Sequence, residues 1–188
     1  MRIDVVDNGG QWTHKEWRQL KSFGVESTII ANTTEPSKLA GVDGLVLSGG
    51  APSIVSELDK LGNISGYIEE LSVPILGICV GAQFIALHFG GEVGPGSTPE
   101  FGRTIIEMSR HDGIFSSLPA TFTAWENHND EVKKLPDSLI LAGSSSNCRV
   151  QAFFHRDRPI YGVQFHPEVN DTQNGRELFS SFVSTCRK

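Results

Sequence analysis

The sequence VPILGICVGAQ, residues 73–83, decides the fold of this chain. Val73–Cys79 is apolar almost throughout, which predicts a strand that is covered on both faces of a sheet. Ala82–Phe89 follows as a short helix that ends at two glycines. A buried strand that leads directly into a helix is the repeating unit of α/β folds with parallel strands.

Upstream of this stretch, the chain alternates between strand and helix signals. Short β-branched runs that end in turn residues predict further strands, and apolar residues at helical spacing predict helices. The strands are Ile3–Val6, Val25–Ala31 and Gly44–Gly50, and the helices are Gln11–Phe23 and Leu58–Leu71. Within the first helix, Trp12 and Trp17 are interpreted as packing residues rather than as part of a ligand site.

Downstream, strand signals follow one another with few helix signals between them. This predicts that the second part of the sheet is mixed or antiparallel. The predicted strands are Arg103–Met108, Ala120–Trp125, Ser138–Ala142, Val150–Phe154 and Ile160–Phe165. An amphipathic helix over Gly175–Cys186 ends the chain, and the whole sequence is interpreted as one α/β domain, residues 1–188.

Composition and charge exclude several function classes. The 188 residues carry a net charge of −6, which argues against a general nucleic-acid binder, since such proteins neutralise phosphates with basic groups. No apolar run approaches the ~20 residues of a membrane span, and the amino terminus does not resemble a signal peptide. Three widely spaced cysteines predict neither a disulfide framework nor a zinc site, and indicate a reducing, cytoplasmic location.

The segment GICVG, residues 77–81, has the form of a nucleophile elbow with Cys79 as the nucleophile. A sharp strand-to-helix turn lifts the central side chain out of the sheet, and flanking glycines let neighbouring elements approach closely. The positive end of the following helix favours a thiolate. The alternative is an ordinary buried cysteine in a strand, and the pentapeptide alone leaves both open.

The segment QFHPE, residues 164–168, supplies a candidate base. Pro167 biases His166 towards an extended conformation, in which residues two apart point the same way. Glu168 would then orient the imidazole of His166 and stabilise its protonated form. Taken alone, this motif is more typical of a strand end with a surface glutamate, but the elbow in the same chain reverses that preference.

Two further segments give weaker signals. Gly49 and Gly50 follow an apolar strand and predict either a plain tight turn or an oxyanion hole made of backbone N–H groups, whereas no lysine follows as in a phosphate loop. His128 lies in a polar run, residues 126–130, that lines a site or forms a simple loop. No group has metal-ligand spacing, so no metal site is predicted. The residues considered for this were His14, His88, His111 and His155, while Cys148 and Cys186 are interpreted as structural.

Taken together, these motifs resemble the class I (triad) glutamine amidotransferases, and among them the glutaminase domains and subunits of GMP synthetases. The segments that carry the resemblance are DNGGQWTH (7–14), LSGGAPS (47–53), ILGICVGAQ (75–83), NHNDEVKKLP (127–136) and GVQFHPEVNDTQNG (162–175). They span nearly the whole chain in the order found in the family. The resemblance implies a flavodoxin-like, three-layer open mixed sheet, mostly parallel in its first half, with helices on both faces.

The resemblance also implies a mechanism and a set of site residues. Cys79, His166 and Glu168 would form the catalytic triad for hydrolysis of L-glutamine to glutamate and ammonia. The backbone N–H groups of Gly50 and Val80 would form the oxyanion hole. The residues implied to bind glutamine are Gly49, Gly50, Gln83, Asn127, His128 and Asn129.

The resemblance further implies that the chain needs no cofactor of its own and works with a partner. An ATP-pyrophosphatase (synthetase) subunit would use ATP and Mg²⁺ to activate XMP, which the released ammonia converts to GMP. Alternatives are the glutaminase subunit of another amidotransferase, a stand-alone γ-glutamyl hydrolase and a non-catalytic relative. The sequence departs from the family at Val80, at Glu126-Asn127 and at the extra Ala51, which affects the details of glutamine contact and partner docking.

Overall fold

A computed structural model describes residues 1–187, and these residues form one nine-stranded sheet and four α-helices. The strands are β1 (Ile3–Asp7), β2 (Ile29–Ala31), β3 (Gly44–Leu47), β4 (Ile75–Ile78), β5 (Glu92–Met108), β6 (Thr121–Lys134), β7 (Leu139–Ser144), β8 (Ala152–His155) and β9 (Ile160–Val163). The helices are α1 (Thr13–Ser22), α2 (Ile64–Glu70), α3 (Val80–His88) and α4 (Gly175–Thr185). None of the helices in residues 1–187 has the length and apolar character to span a membrane.

The sheet has a parallel part and an antiparallel part. Its strand order is β2-β1-β3-β4-β9-β8-β7-β5-β6, in which β2, β1, β3, β4 and β9 are mutually parallel and the remaining neighbours are antiparallel. The predicted α/β fold with a mixed sheet, parallel in its first half, is therefore confirmed.

Apolar residues cover both faces of the parallel part. Successive residues of a strand belong to different cores: Val5 and Ile78 pack with the helices α1 and α4, whereas Val6 and Ile75 pack with α2 and α3. Since side chains of a strand alternate between faces, this arrangement gives the three layers of helix, sheet and helix. It also explains why the parallel strands are apolar almost throughout.

The parallel pairing brings three loops to the same edge of the sheet. Leu47 of β3 is paired with Gly77 of β4, and Ile78 is paired with Val163 of β9. The segments that follow these three strands are the glycine pair, the cysteine elbow and the QFHPE segment. In open α/β sheets this carboxyl edge of the strands is where ligands bind.

The helix predicted over Leu58–Leu71 is interrupted, so this prediction is wrong in detail. Leu58–Leu61 forms a short 3₁₀ turn, and α2 begins only at Ile64. Gly62 separates the two with φ +58°, and a Cβ there would lie 2.5 Å from the carbonyl oxygen of Asn32. A close backbone approach therefore breaks a segment whose apolar spacing alone is helical.

The strands β5 and β6 are much longer than the sequence predicts. They form a two-stranded arm in which Arg103 faces Trp125, and the pairing continues to Glu92 and Lys134. Glycines and prolines between residues 94 and 99 conceal the strand in the sequence, and the register shifts between Pro95 and Glu100. Residues 126–130, for which a plain loop was one alternative, belong to β6.

Candidate active site

Cys79 lies at the junction between β4 and α3 in a backbone conformation that few non-glycine residues adopt. Its φ is +51° and its ψ −111°, and its N–H donates a hydrogen bond of 2.8 Å to the carbonyl of Val163. Strained positive-φ residues concentrate at functional sites, and this one has the position of the nucleophile in an elbow.

Both flanking glycines are required by close contacts. A Cβ on Gly77 would lie 2.7 Å from the carbonyl carbon of Gly81, and a Cβ on Gly81 would lie 2.2 Å from the carbonyl oxygen of Leu47. Neither backbone atom has room to move away, because β3, β4 and α3 are packed together here. The G-x-C-x-G spacing thus follows from the packing of the turn.

The glycine pair after β3 passes beside the cysteine and the histidine. A Cβ on Gly49 would lie 3.0 Å from Cε1 of His166 and 3.6 Å from Cβ of Cys79. A Cβ on Gly50 would lie 2.3 Å from the carbonyl oxygen of Asn8. The backbone of this turn therefore lies directly beside Cys79 and His166, with no room for a side chain at Gly49 or Gly50.

His166 and Glu168 form a tight buried pair. Nδ1 of His166 lies 2.7 Å from Oε1 of Glu168, and the two residues are 5% and 3% exposed. The backbone holds the ring in place, since His166 N–H donates to the carbonyl of Trp125 and its own carbonyl accepts from Oγ1 of Thr172. Burial alone would lower the pKa of His166, but the charge of Glu168 and the neighbouring Cys79 side chain raise it well above its ordinary value.

The three side chains surround a space open to a ligand. Nε2 of His166 has no hydrogen-bond partner within residues 1–187. Two adjoining cavities meet at Cys79. The larger, about 310 Å³, extends along α3 and β6 to Gln83, Phe101 and the segment 127–130. The smaller, about 240 Å³, extends towards α1 and contains His166 and Glu168 in its wall.

The structure brings the predicted site residues together around these cavities. Gly50, Cys79 and Asn127 line both cavities. Val80, Gln83, His128 and Asn129 line the larger cavity, and Gly49, His166 and Glu168 line the smaller. Residues separated by almost 120 positions in the chain thus meet because the ends of parallel strands share one edge.

Gln164 is a site residue that sequence reasoning missed. Its Nε2 lies 3.5 Å from Sγ of Cys79, and its Oε1 accepts a hydrogen bond of 3.1 Å from Nε2 of Gln83. The same Gln83 amide donates to the carbonyl of Asp130 at 2.7 Å. Gln164 and Gln83 therefore connect the nucleophile to β6. Gln164 stands two residues before His166, a position on the same side of an extended chain, and this spacing was the available signal.

Glu16 and Trp12 also border the smaller cavity, on the side of α1. The buried residues of α1 are Thr13, Glu16 and Leu20. Trp17 is partly buried and packs against the core, as predicted. The Trp12 ring contacts the His166 ring edge-on with a centroid distance of 4.6 Å. The interpretation of Trp12 as a packing residue therefore missed its place beside the candidate base.

Behind the larger cavity, His128 is enclosed by carboxylates. Its Nε2 lies 3.1 Å from Glu100 and 3.3 Å from Glu126, and its Nδ1 lies 3.1 Å from the carbonyl of Asp130. Burial lowers the pKa of His128, but hydrogen bonds to Glu100 and Glu126 outweigh it and raise this pKa to about 10. Glu100 also accepts hydrogen bonds from Ser145 and Gln151, and these bonds and His128 lower its pKa despite burial.

The same cluster brings Cys148 near Glu100 and His128, with potential ligand atoms within 4.8 Å of one another, a grouping that the sequence did not predict. Burial, followed by the nearby carboxylates, raises the pKa of the Cys148 thiol, whose Sγ contacts the carbonyl of Val150. Metal binding requires a thiolate, so the observed hydrogen bonds describe this cluster better than a metal centre does.

Comparison of this sequence with models of known protein families shows to which family the chain belongs. The model of the family "Glutamine amidotransferase class-I" matches residues 4–186. The chain belongs to the class I glutamine amidotransferases. This class I amidotransferase is 55% identical over its full length to a protein of Thermoplasma volcanium named as a subunit of GMP synthase [glutamine-hydrolyzing], covering 93% of that protein. It is 52% identical to the subunit of the same name from Picrophilus torridus, with complete coverage of both chains.

Solved structures agree with this family. A crystal structure from Thermoplasma acidophilum, of a candidate GMP synthase subunit, matches with a TM-score of 0.95 and 56% identity, covering 99% of this amidotransferase and 94% of that chain. A glutamine amidotransferase from Thermotoga maritima matches with a TM-score of 0.77 at 22% identity, covering 90% and 76% of the two chains. At that identity the second likeness shows the shared fold.

Proposed function

We propose that this chain hydrolyses L-glutamine and supplies the ammonia for GMP synthesis, as the glutaminase subunit of a two-subunit GMP synthetase. The observation that carries the proposal is the meeting of the Cys79 elbow with the buried His166–Glu168 pair at one cavity. The names of the relatives from Thermoplasma volcanium and Picrophilus torridus support GMP as the product of the complete enzyme.

Cys79, His166 and Glu168 act as nucleophile, base and orienting carboxylate. Nε2 of His166 accepts the proton of Cys79, and Glu168, 2.7 Å from Nδ1, stabilises the imidazolium that results. The thiolate attacks the side-chain carboxamide carbon of glutamine. His166 then donates its proton to the leaving nitrogen, ammonia departs, and a water molecule activated by His166 cleaves the glutamyl thioester to release glutamate.

The negative charge that develops on the carboxamide oxygen needs donors that are already in place. Val80 is the first residue of α3, where N–H groups have no acceptor within the helix, and Gly50 borders the cavity beside Cys79. The N–H groups of these two residues are proposed as the oxyanion hole. Removal of one such donor costs about 10²–10³ in rate in other enzymes.

The larger cavity is proposed to hold the amino-acid end of glutamine. Gln83, Asn127 and Asn129 offer hydrogen-bonding groups along its wall, together with the backbone of Gly50 at its inner end. Gly49, which is also assigned to glutamine binding, lines the adjoining smaller cavity. His128 contributes through its position in β6, because its ring is occupied by two carboxylates. Gln164 belongs with this set, since it donates to the sulfur and fixes Gln83.

The proposal includes a partner that receives the ammonia. The relatives are named as one subunit of their enzyme, which implies a second polypeptide. To that synthetase partner we assign ATP, Mg²⁺ and XMP, and to residues 1–188 we assign the glutaminase domain, with no cofactor of its own. The cytoplasmic location, inferred from cysteine content, forms part of the same proposal.

The decisive variant is Cys79→Ala in the complex with a synthetase subunit. It is expected to lose glutamine-dependent GMP formation by at least about 10⁴-fold, as removal of a nucleophile does elsewhere, and to retain GMP formation from ammonium chloride. The matched control is Cys186→Ala, which removes a buried thiol remote from the site and is expected to keep both activities. The assay follows GMP and glutamate together.

Three other results would contradict the proposal in different ways. Loss of both activities in Cys79→Ala would assign this residue to folding or docking rather than to attack. Glutamate release that is unaffected by ATP, XMP and the synthetase subunit would favour a stand-alone γ-glutamyl hydrolase. Retention of glutamine-dependent synthesis would exclude Cys79 as the nucleophile.

A further inference from the structure

The smaller cavity, on the α1 side of the triad, contains two carboxyl groups with free oxygen atoms. Oε2 of Glu16 and Oε2 of Glu168 are both buried and have no hydrogen-bond partner within residues 1–187. The two residues are 1% and 3% exposed, and both lie in the wall of this 240 Å³ cavity. The role of Glu168 as the orienting group for His166 uses only its other oxygen, Oε1.

Glu16 is costly in this position. It occupies the buried face of α1 between Thr13 and Leu20, where an apolar residue would pack without a desolvation penalty. The first turn of a helix favours a carboxylate, but this preference is weak beside the cost of burying one. Burial, followed by the charge of Glu168, raises the pKa of Glu16 well above its ordinary value. The charge of His166 and a hydrogen bond to the backbone of Gly49 offset this only in part. A buried polar group of this kind is typical of functional positions.

The smaller cavity lies next to the atoms from which ammonia, the first product of the proposed reaction, departs. His166, which protonates the leaving nitrogen, lies in its wall together with Cys79, and the glutamyl group stays bound to Cys79 in the larger cavity. The Trp12 ring, 4.6 Å from the His166 ring, forms another side of the smaller cavity. A small cation that leaves the sulfur therefore meets two carboxyl groups and an aromatic ring.

We propose that Glu16 and Glu168 form a product subsite that holds the released ammonia as an ammonium ion. This inference rests on the proposed glutaminase function. The proton passes from the neutral Glu16 carboxyl group to ammonia: one O–H bond breaks, one N–H bond forms, and the electron pair remains on the carboxylate. The ammonium ion then donates hydrogen bonds to the two free carboxylate oxygens.

The subsite has a direct consequence for the reaction sequence. Held beside the thioester, ammonia is kept from bulk water until the acceptor is ready. Once the ammonium ion has returned one proton to Glu16, the resulting ammonia also competes with water for the glutamyl group. Its attack re-forms glutamine: the nitrogen lone pair forms the C–N bond, the C–S bond breaks, and a proton moves from nitrogen through His166 to the sulfur. Transfer onwards to the partner requires return of one proton to Glu16, which the raised pKa of this residue favours.

Ammonium binding by the full chain tests the subsite without any catalysis. Thermal unfolding is followed while ammonium chloride replaces sodium chloride or tetramethylammonium chloride at constant ionic strength. We expect a saturable rise in Tm with ammonium alone. Glu16→Gln, which keeps the shape of the side chain, is expected to weaken this effect at least about tenfold, since charge-assisted hydrogen bonds are lost. The matched control is Glu177→Gln, which removes an exposed first-turn carboxylate from α4 and is expected to keep the response.

An equal response in Glu16→Gln, or an ammonium response no larger than that of sodium, overturns the subsite. A second measurement does not depend on the folding of any variant. The wild-type chain turns over unlabelled glutamine in the presence of ¹⁵N-ammonium, and mass spectrometry follows ¹⁵N entering the glutamine amide. Saturation at the concentration that saturates the Tm shift supports the subsite, whereas a strictly linear dependence overturns it. Absence of glutamate release would instead count against the glutaminase function, and the Tm test would still decide the subsite.

Discussion

The molecule contains two buried histidines flanked by glutamate, and they differ in what remains unpaired. His166 follows β9 and His128 lies within β6, with exposures of 5% and 4%. Carboxylates raise the pKa of both rings, and both lie within reach of the cavities around Cys79. In His166, however, Nε2 has no partner within residues 1–187, whereas in His128 both ring nitrogens are occupied.

The difference shows how a buried histidine beside glutamate can either transfer a proton or form a structural ion pair. A histidine with one oriented nitrogen and one free nitrogen can move a proton, and Glu168 supplies the orientation. A histidine with both nitrogens bonded is a fixed cation: His128 joins β6 to β5 through Glu100 and also pairs with Glu126 of its own strand. The ring nitrogen without a hydrogen-bond partner, rather than the raised pKa, therefore distinguishes the proposed base His166 from the ion-paired His128.

Replacement of His166 is expected to give the largest effect and tests whether this histidine, unlike His128, serves as the base. His166→Asn is expected to lower kcat for glutamine hydrolysis by about 10²–10⁴, because the variant has no group that exchanges the proton of Cys79. Glutamate release under saturating glutamine measures the effect, with circular dichroism as the check on folding. A variant that retained more than a tenth of the activity would show that another group serves as the base.

Replacement of His128 is expected to act on stability first. His128→Leu leaves Glu100 and Glu126 buried without their cation, and loss of one partner from such a pair costs about 3–5 kcal/mol. Urea denaturation measures the free energy of unfolding, and His111→Leu on the exposed surface is the control, expected to change it by less than about 0.5 kcal/mol. A similarly small change in His128→Leu would show that water or protonation already compensates the carboxylates.

A smaller effect is expected in the pH dependence of the free energy of unfolding, which tests whether His128 is a buried cation. The pKa of His128 is raised to about 10 in the folded chain, above its unfolded value, so its stabilisation is complete only below the unfolded pKa of about 6.5 and declines as pH rises above it. The loss is finished as pH passes through about 10 and the imidazolium deprotonates. We expect the unfolding free energy to fall by about 1.5–3 kcal/mol over this rise, the worth of a hydrogen bond to a charged group.

A partner variant identifies the source of that pH effect. Glu126→Gln removes one of the two charges that raise the pKa of His128 and should move the end of the stability loss to lower pH. Chemical denaturation at a series of pH values between 6 and 11 measures both chains. An unchanged profile in Glu126→Gln would assign the loss to other groups, such as His166, whose pKa is also raised, or the buried tyrosines and thiols.

The sequence was most informative where function follows from local pattern. The elbow at Cys79 and the spacing of His166 and Glu168 depend on neighbours within a few residues, so short motifs predict them. The parallel strands are apolar on both faces and therefore stand out. The family resemblance then assigned residues from separate motifs to one site, and the structure brings these residues together around two adjoining cavities.

The features that escaped prediction depend on contacts between distant segments. Glu16 lies in the largely polar helix sequence THKEWRQLKS, and only the packing of α1 beside Cys79 shows that it borders the cavity. Gln164 stands two residues before His166, but its contact with the sulfur of Cys79 is visible only in the structure. The length of β5 was hidden because Gly94, Pro95 and Gly96 are poor strand formers. There, pairing with β6 overrides local preference.

The place of β9 in the sheet has a consequence for how the chain is made. β9 pairs with β4 on one side and with β8 on the other, although about 80 residues separate it from β4 in sequence. During synthesis, β4, which directly precedes Cys79, is made early. One of its edges remains unpaired until residues 160–163 have been synthesised. The same late segment brings His166 and Glu168, so the proposed nucleophile Cys79 gains its proposed base only when β9 has joined the sheet. A chain synthesised only as far as β8 therefore contains Cys79 but lacks the proposed base and its orienting carboxylate.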